Sequence, residues 1–277
     1  MKTLSPLQLL AGCGLALVFT VPAFAGGFTK AEITRLTNEV QILKGEAAPK
    51  AATVGQNIDP VTTVATGKES RAELRFPDKT LTRLGANSRF TLRGEARTLD
   101  LNEGTMMLQV PKNQGGAKIR TAGVTAAVTG TTVLIEYHPG GVIKLIVIEG
   151  ECTIYLNNDL SEFRTLKAGQ MIEMQDGSPT MPDVQTVDLE RLLKTSKLIS
   201  ASDANQPNQY QIDQAIYEQQ QLLSSGDLVK GNIVIRDNTM NTGINNNAAT
   251  TTTPLPVPPA PIEPPYEGGC EGGGPAE

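Results

Sequence analysis

His138 is the only histidine in the chain, and it directly precedes Pro139-Gly140-Gly141, a run that reads as a hairpin turn. With one imidazole, beside a turn, a zinc site or a catalytic triad built on histidines is hard to assemble, so His138 reads as solvent-facing. Glu149 and Glu151 come closest to the paired carboxylates of a glycosidase. They flank Gly150, and strand alternation puts both on one outward face, the ordinary decoration of a solvated strand. Cys152 follows in a strand-like run and reads as a small core residue. Cys270 stands in a glycine-rich segment as a free thiol or an intermolecular link. No G-x-S-x-G, Walker loop, H-E-x-x-H or paired C-x-x-C occurs. The expectation is a protein that is not an enzyme, with no catalytic, cofactor-binding or metal-ligating residue to name.

Charge offers a different chemistry. Arg71, Arg75, Arg83, Arg89, Arg93 and Arg97 fall within 27 residues. Arg71 and Arg75 share one strand face, as do Arg89 and Arg93, so these four form a candidate basic stripe for an anionic envelope polymer or an acidic partner surface. Glu69, Glu73, Asp78 and Glu95 are interleaved, and the competing reading is a mixed, solvated face. The whole chain carries a formal charge of −5, which speaks against nucleic acid as a partner.

The elements that position these residues are short strands. Gly67-Lys68-Glu69-Ser70-Arg71-Ala72-Glu73-Leu74 is answered eighteen residues later by Gly85-Ala86-Asn87-Ser88-Arg89-Phe90-Thr91-Leu92. Both read G-x-x-S-R-x-x-L, a turn followed by an alternating strand, and imply one structural unit used twice. Turn chemistry then recurs every eight to twelve residues, from Pro77-Asp78 to Asp176-Gly177. Gly67, Gly85, Gly104, Gly130, Gly150 and Gly169 are read as structural turn glycines, most of them supplying positive backbone angles. The fold expected is all-β, with many short strands in a β-roll, sandwich or short solenoid, followed by one or two C-terminal helices and a disordered tail. Val142–Ile148, rich in branched residues, is the expected central strand, with Thr131–Tyr137, Cys152–Leu156 and Met171–Met174 beside it. Residues 31–43 fit helix or strand, with strand favoured. Asp188 is placed to cap a helix through Leu189, Leu192, Leu193, Ser196 and Ile199, and a Gln-rich helix is expected over 208–224.

The ends define the expected boundaries. Lys2, the apolar stretch Leu7–Val21 and Ala23-Phe24-Ala25 compose a cleavable leader over 1–25, and hence an exported chain in the periplasm or cell envelope. Leu10-Ala11-Gly12-Cys13 also resembles a lipobox, which makes a lipoprotein anchored through Cys13 the alternative. No later stretch is long and apolar enough to span a bilayer as a helix. A lead-in segment occupies 26–54, the β domain 55–176, a helical extension 177–230, and an Asn/Thr-, Pro- and Gly-rich tail 231–277. A chain ending near Ser200 is then expected to stay folded.

Thr66-Gly67 with Ser70, Leu81–Phe90, Leu99–Gly104, Thr129-Gly130-Thr131, Val147–Gly150 and Leu166-Lys167-Ala168-Gly169-Gln170 resemble, in order and spacing, the FecR domain, over roughly residues 55–175. The best-known members of that family are bacterial inner-membrane regulators. They relay occupancy of an outer-membrane receptor to a cytoplasmic sigma factor through a periplasmic domain, a membrane helix and an anti-sigma region. The resemblance implies an all-β periplasmic domain and supplies no catalytic or cofactor residue. The cytoplasmic anti-sigma region has no counterpart here, so sigma-factor control does not carry over directly. The function expected is a binding or scaffolding component of the bacterial envelope, acting in signalling through a protein partner such as a receptor or regulator. The alternative is a cell-wall or polysaccharide-binding module, disfavoured by the absence of tryptophan for sugar stacking.

Overall fold

The computed structural model describes residues 27–94, 97–199, 208–228 and 233–234. Nine strands come first: β1 (Ala31–Thr37), β2 (Val40–Lys44), β3 (Lys50–Ala51), β4 (Asn57–Ile58), β5 (Thr62–Thr66), β6 (Arg71–Arg75), β7 (Leu81–Leu84), β8 (Arg89–Leu92) and the long β9 (Thr98–Gln109). There follow β10 (Gly116–Arg120), β11 (Val124–Thr129), β12 (Thr132–Tyr137), β13 (Val142–Glu149), β14 (Glu151–Leu156), β15 (Phe163–Lys167), β16 (Gln170–Gln175) and β17 (Gln185–Val187). Two helices, α1 (Leu189–Thr195) and α2 (Gln209–Ser225), and the two-residue β18 (Ile233–Val234) complete the described chain. The expected tail lies outside the described residues.

The strands make one continuous hydrogen-bonded sheet folded into two layers. In the front layer the order is β4, β1, β6, β7, β9, β12, β13, β16, β17, β18. In the back layer it is β3, β2, β5, β8, β9, β10, β11, β14, β15. Strand β9 belongs to both. Its first half pairs with β8 and its second half with β12, and the bend falls at Gly104. Gly104 has φ +91°, and a Cβ there would stand 2.5 Å from the Ser88 Cα, so both the dihedral and the space demand glycine.

Hairpins stay within a layer, and corners between hairpins switch layers. All six turn glycines lie at such switches: Gly67 between β5 and β6, Gly85 between β7 and β8, Gly104 within β9, Gly130 between β11 and β12, Gly150 between β13 and β14, and Gly169 between β15 and β16. The repeated G-x-x-S is one corner used twice, in opposite directions. Gly67 donates its N–H to the Glu39 carbonyl and Ser70 Oγ accepts the Glu39 N–H (3.0 Å). Gly85 and Ser88 do the same with Thr105, at 2.9 Å each. Each serine is buried and also donates to the carbonyl two residues back, Lys68 or Ala86. Thr131 repeats the pattern against Glu151 and Thr129. A buried hydroxyl thus satisfies the backbone groups that a corner removes from the ladder. Gly67 and Gly85 do not have positive φ; Glu69 (55°) and Asn87 (49°), two residues on, take the left-handed conformation instead.

Apolar cores lie on both faces of the front layer. Between the layers, Leu74, Leu84, Leu108, Val133, Ile135, Leu145 and Val147 meet Val64, Phe90, Leu99, Ile119, Ala126 and Ile154. On the outer face, Leu81, Met107, Leu134, Ile146, Ile148 and Met171 are covered by Leu189, Leu198, Ile199, Ile212, Ala215 and Ile216. This explains why β13 is apolar on both faces, since each alternate set has its own core. As expected, β13 lies between β12 and β16. Cys152–Leu156 does not lie beside it, because the corner at Gly150 sends β14 to the back layer between β11 and β15. Residues 31–44 form strands and enter both layers. Asp188 caps α1 by accepting the Arg191 N–H at 2.9 Å, with Glu190 in its first turn and Lys194 in its last. Helix α2 buries Ile212, Ala215, Ile216 and Gln219 at helical spacing and ends at Gly226 in the left-handed conformation.

Candidate functional site

The side chains with catalytic potential are held apart. His138 is half exposed in the β12–β13 hairpin, its Nε2 2.8 Å from Glu136 Oε1. Cys152 is buried, and loss of solvation pushes its thiol up to about 12, so it is an inert core residue. Among the described residues, no group of three His, Cys, Asp or Glu is arranged as metal ligands would be.

Glu149 departs from its expected role. It is 3% exposed, whereas Glu151 is exposed on the back layer and pairs in register with Lys167. Strand alternation does not carry across Gly150, because the chain changes layer there. Glu149 Oε2 accepts a hydrogen bond from Asn208 Nδ2 at 3.0 Å, and Asn208 also reaches the Val110 carbonyl and Thr132 Oγ1 at 3.3 Å. Gln109 lies in the same cross-strand row, fully buried, with neither amide atom hydrogen-bonded to a described residue. Burial raises the Glu149 pKa; the bonds from Asn208 and Thr132 and the charge of Lys112 oppose that rise.

The four arginines of the candidate stripe do not assemble. Arg71 and Arg75 are on β6 in the front layer, and Arg89 is on β8 in the back layer, opposite Ala65 and Glu103. Arg93 follows β8 and is paired with Asp100, which also takes Arg120 at 2.9 and 3.0 Å. Because the repeat crosses between layers in opposite senses, equivalent arginines land on different sheets. The remaining two arginines are held by fixed contacts. Arg97 packs its guanidinium 4.1 Å from the Phe28 ring centre and bonds Asp78. Arg83 donates from Nε to Glu73 Oε2 at 2.8 Å, with both side chains buried.

A different basic cluster forms on the outer face of the front layer. Register places Thr37 opposite Arg71, and Arg35, Glu73 and Arg83 in one row across β1, β6 and β7. The segment after α1 closes one side with Lys197 and Leu198. Together they line a cavity of about 260 Å³. Four of its lining side chains are cationic, and its one carboxylate, Glu73, is already engaged by Arg83 and by Thr34 Oγ1 at 2.7 Å. Of these arginines, only Arg71 belongs to the candidate stripe. Arg35 and Lys197 are 162 positions apart, and only the packing of the post-α1 segment brings them together.

The fold defines a mostly β, two-layer domain whose corners are held by buried hydroxyls and whose front layer carries a cationic cavity. The family described as FecR protein matches residues 62–153, the stretch from β5 into β14. In structure the chain is similar to two crystal structures described as "a putative anti-sigma factor from Parabacteroides distasonis ATCC 8503". Identity is 15% and 14%, with TM-scores of 0.41 and 0.40. Each alignment covers 47% of this chain and 62% of that chain, less than two thirds of its length. No curated protein matches the sequence. No described helix is long and apolar enough to cross a membrane.

Proposed function

We propose that this is an exported, non-enzymatic FecR-domain protein of a bacterial envelope that recognises a protein partner in a signalling system. The observation that carries the reading is the FecR-family match over residues 62–153, a stretch that forms the middle of both layers. The isolation of His138, Glu149 and Cys152 from one another accords with a binding role, as do the exposed charges of Arg75 and Arg89. A leader over residues 1–25 would put the domain in the periplasm or cell envelope, where a membrane-bound partner would supply any cytoplasmic step.

Affinity capture of tagged protein from cross-linked envelope fractions of its own host, read by mass spectrometry, tests this. A receptor or membrane regulator retained in stoichiometric amount is the expected result. Wall fragments or polysaccharide retained without protein would overturn it in favour of an envelope-binding module.

A further inference from the structure

The geometry points to an oxyanion-binding site in the cavity bounded by Arg71, Arg83 and Lys197, taking a small ligand through a phosphate or carboxylate group. This goes beyond partner recognition and stands without it. Arg83 supplies the strongest reason. Its side chain is 5% exposed and fixed at two points, Nε to Glu73 and Nη1 to the Leu198 carbonyl at 2.9 Å. Its Nη2 donates no hydrogen bond to any described residue, and Arg83 lines the cavity. A guanidinium so anchored is a pre-positioned donor, with its rotamer freedom already lost before a ligand arrives.

Arg71 and Lys197 add charge from two other sides. Arg71 is half-buried at the end of β6, and Lys197 is exposed on the segment after α1. Glu73 neutralises Arg83 alone, and both its oxygens are occupied. Arg35 is engaged in a polar contact of its own, so the excess charge is assigned to Arg71 and Lys197. Two guanidiniums and an ammonium converging on a partly enclosed space match the several acceptor oxygens of one phosphate or of a dicarboxylate. A volume near 260 Å³ lies below the usual range for drug-sized ligands, about 300–1,000 Å³, so the ligand is a small molecule whose charge dominates its shape.

Isothermal titration of the full chain with inorganic phosphate, and separately with succinate, tests the site at low ionic strength. Binding of either probe is expected, the two arms telling phosphate from carboxylate chemistry, and added salt should weaken it. Arg71→Gln should raise the Kd by about 10-fold or more, the scale of one charge-assisted hydrogen bond. Lys197→Gln, on an exposed side chain that folding does not need, should raise it by a smaller factor. Arg75→Gln, on the same strand face outside the cavity, should leave it unchanged. Absence of binding by both probes up to about 10 mM, a Kd too weak to count as a site, would overturn the proposal. So would wild-type affinity in both Arg71→Gln and Lys197→Gln.

Discussion

One cross-strand row on the outer face of the front layer runs Arg35, Glu73, Arg83, Met107, Leu134, Ile146, Met171. Seven strands contribute equivalent positions with the same ladder geometry, yet the row changes character between β7 and β9. The apolar half is roofed by α1, α2 and the segment joining them to the sheet. The charged half closes through its own ion pair, Glu73 with Arg83. Leu198 sits at the join: its side chain is in the outer core and its carbonyl receives Arg83. The contrast shows that what covers a sheet face is specified by the side chains presented to it. Leucine and methionine require a roof, whereas a buried arginine needs acceptors and leaves a cavity beside it.

Removing the roof should have the largest effect. A chain ending after Ser200 loses α2 and exposes Leu134, Ile146 and Ile148, with Ile212 and Ile216 each worth about 2–5 kcal/mol by analogy with buried Ile→Ala changes. That is a large share of a typical total stability of about 5–15 kcal/mol. The shortened chain is expected to bind a hydrophobic dye and lose its cooperative thermal transition, contrary to the boundary drawn near Ser200 from sequence. A sharp, unshifted transition would show that the roof is an accessory.

In the charged half, Arg83→Leu strands Glu73 as a buried carboxylate and should cost about 3–5 kcal/mol in urea unfolding. The double replacement Glu73→Leu, Arg83→Met should cost clearly less, because no lone charge remains. If the double variant were as unstable as the single, the pair would be holding the fold by more than mutual neutralisation. In the apolar half, Leu134→Ala opens a void under the roof and should cost about 2–5 kcal/mol. No second substitution in the row should relieve it.

The sequence carried the strands and helices well, because their signals are local. Branched residues mark β13, Asp188 marks the start of α1, and Ile212, Ala215 and Ile216 mark the buried face of α2. It also carried the corners, since a glycine followed by a buried hydroxyl is what a layer switch needs at residues 67–70, 85–88 and 130–131. What it hid is which layer each strand enters. Alternation predicts faces within a strand, but at a corner the chain leaves one ladder for another, and face counting loses its reference. That is why Glu149 and Glu151 looked alike, why Arg71 and Arg89 looked adjacent, and why the cavity at Arg71, Arg83 and Lys197 had no sequence signature.

Glu149 gives the finest test, since it is a charge placed in the covered half. Its neighbours there are Asn208, Thr132 and Gln109, with Lys112 acting only through its charge. Burial raises its pKa in the folded state above the ordinary value of 4.5, so the fold favours the protonated acid. Below that value both folded and unfolded chains hold the proton, and the contribution is fully present. As pH rises the unfolded chain ionises first, and stability is lost until the folded carboxyl has ionised too. Glu149→Gln mimics the protonated form and keeps an acceptor for Asn208. Its melting temperature should exceed wild type at neutral pH, with the gap closing as pH falls below about 4.5. Comparing the two proteins at each pH cancels the titration of every other carboxylate. Superimposable melting profiles from acid to neutral pH would mean that the covered half tolerates a charge as well as the open half does, and the contrast between them would rest on shape alone.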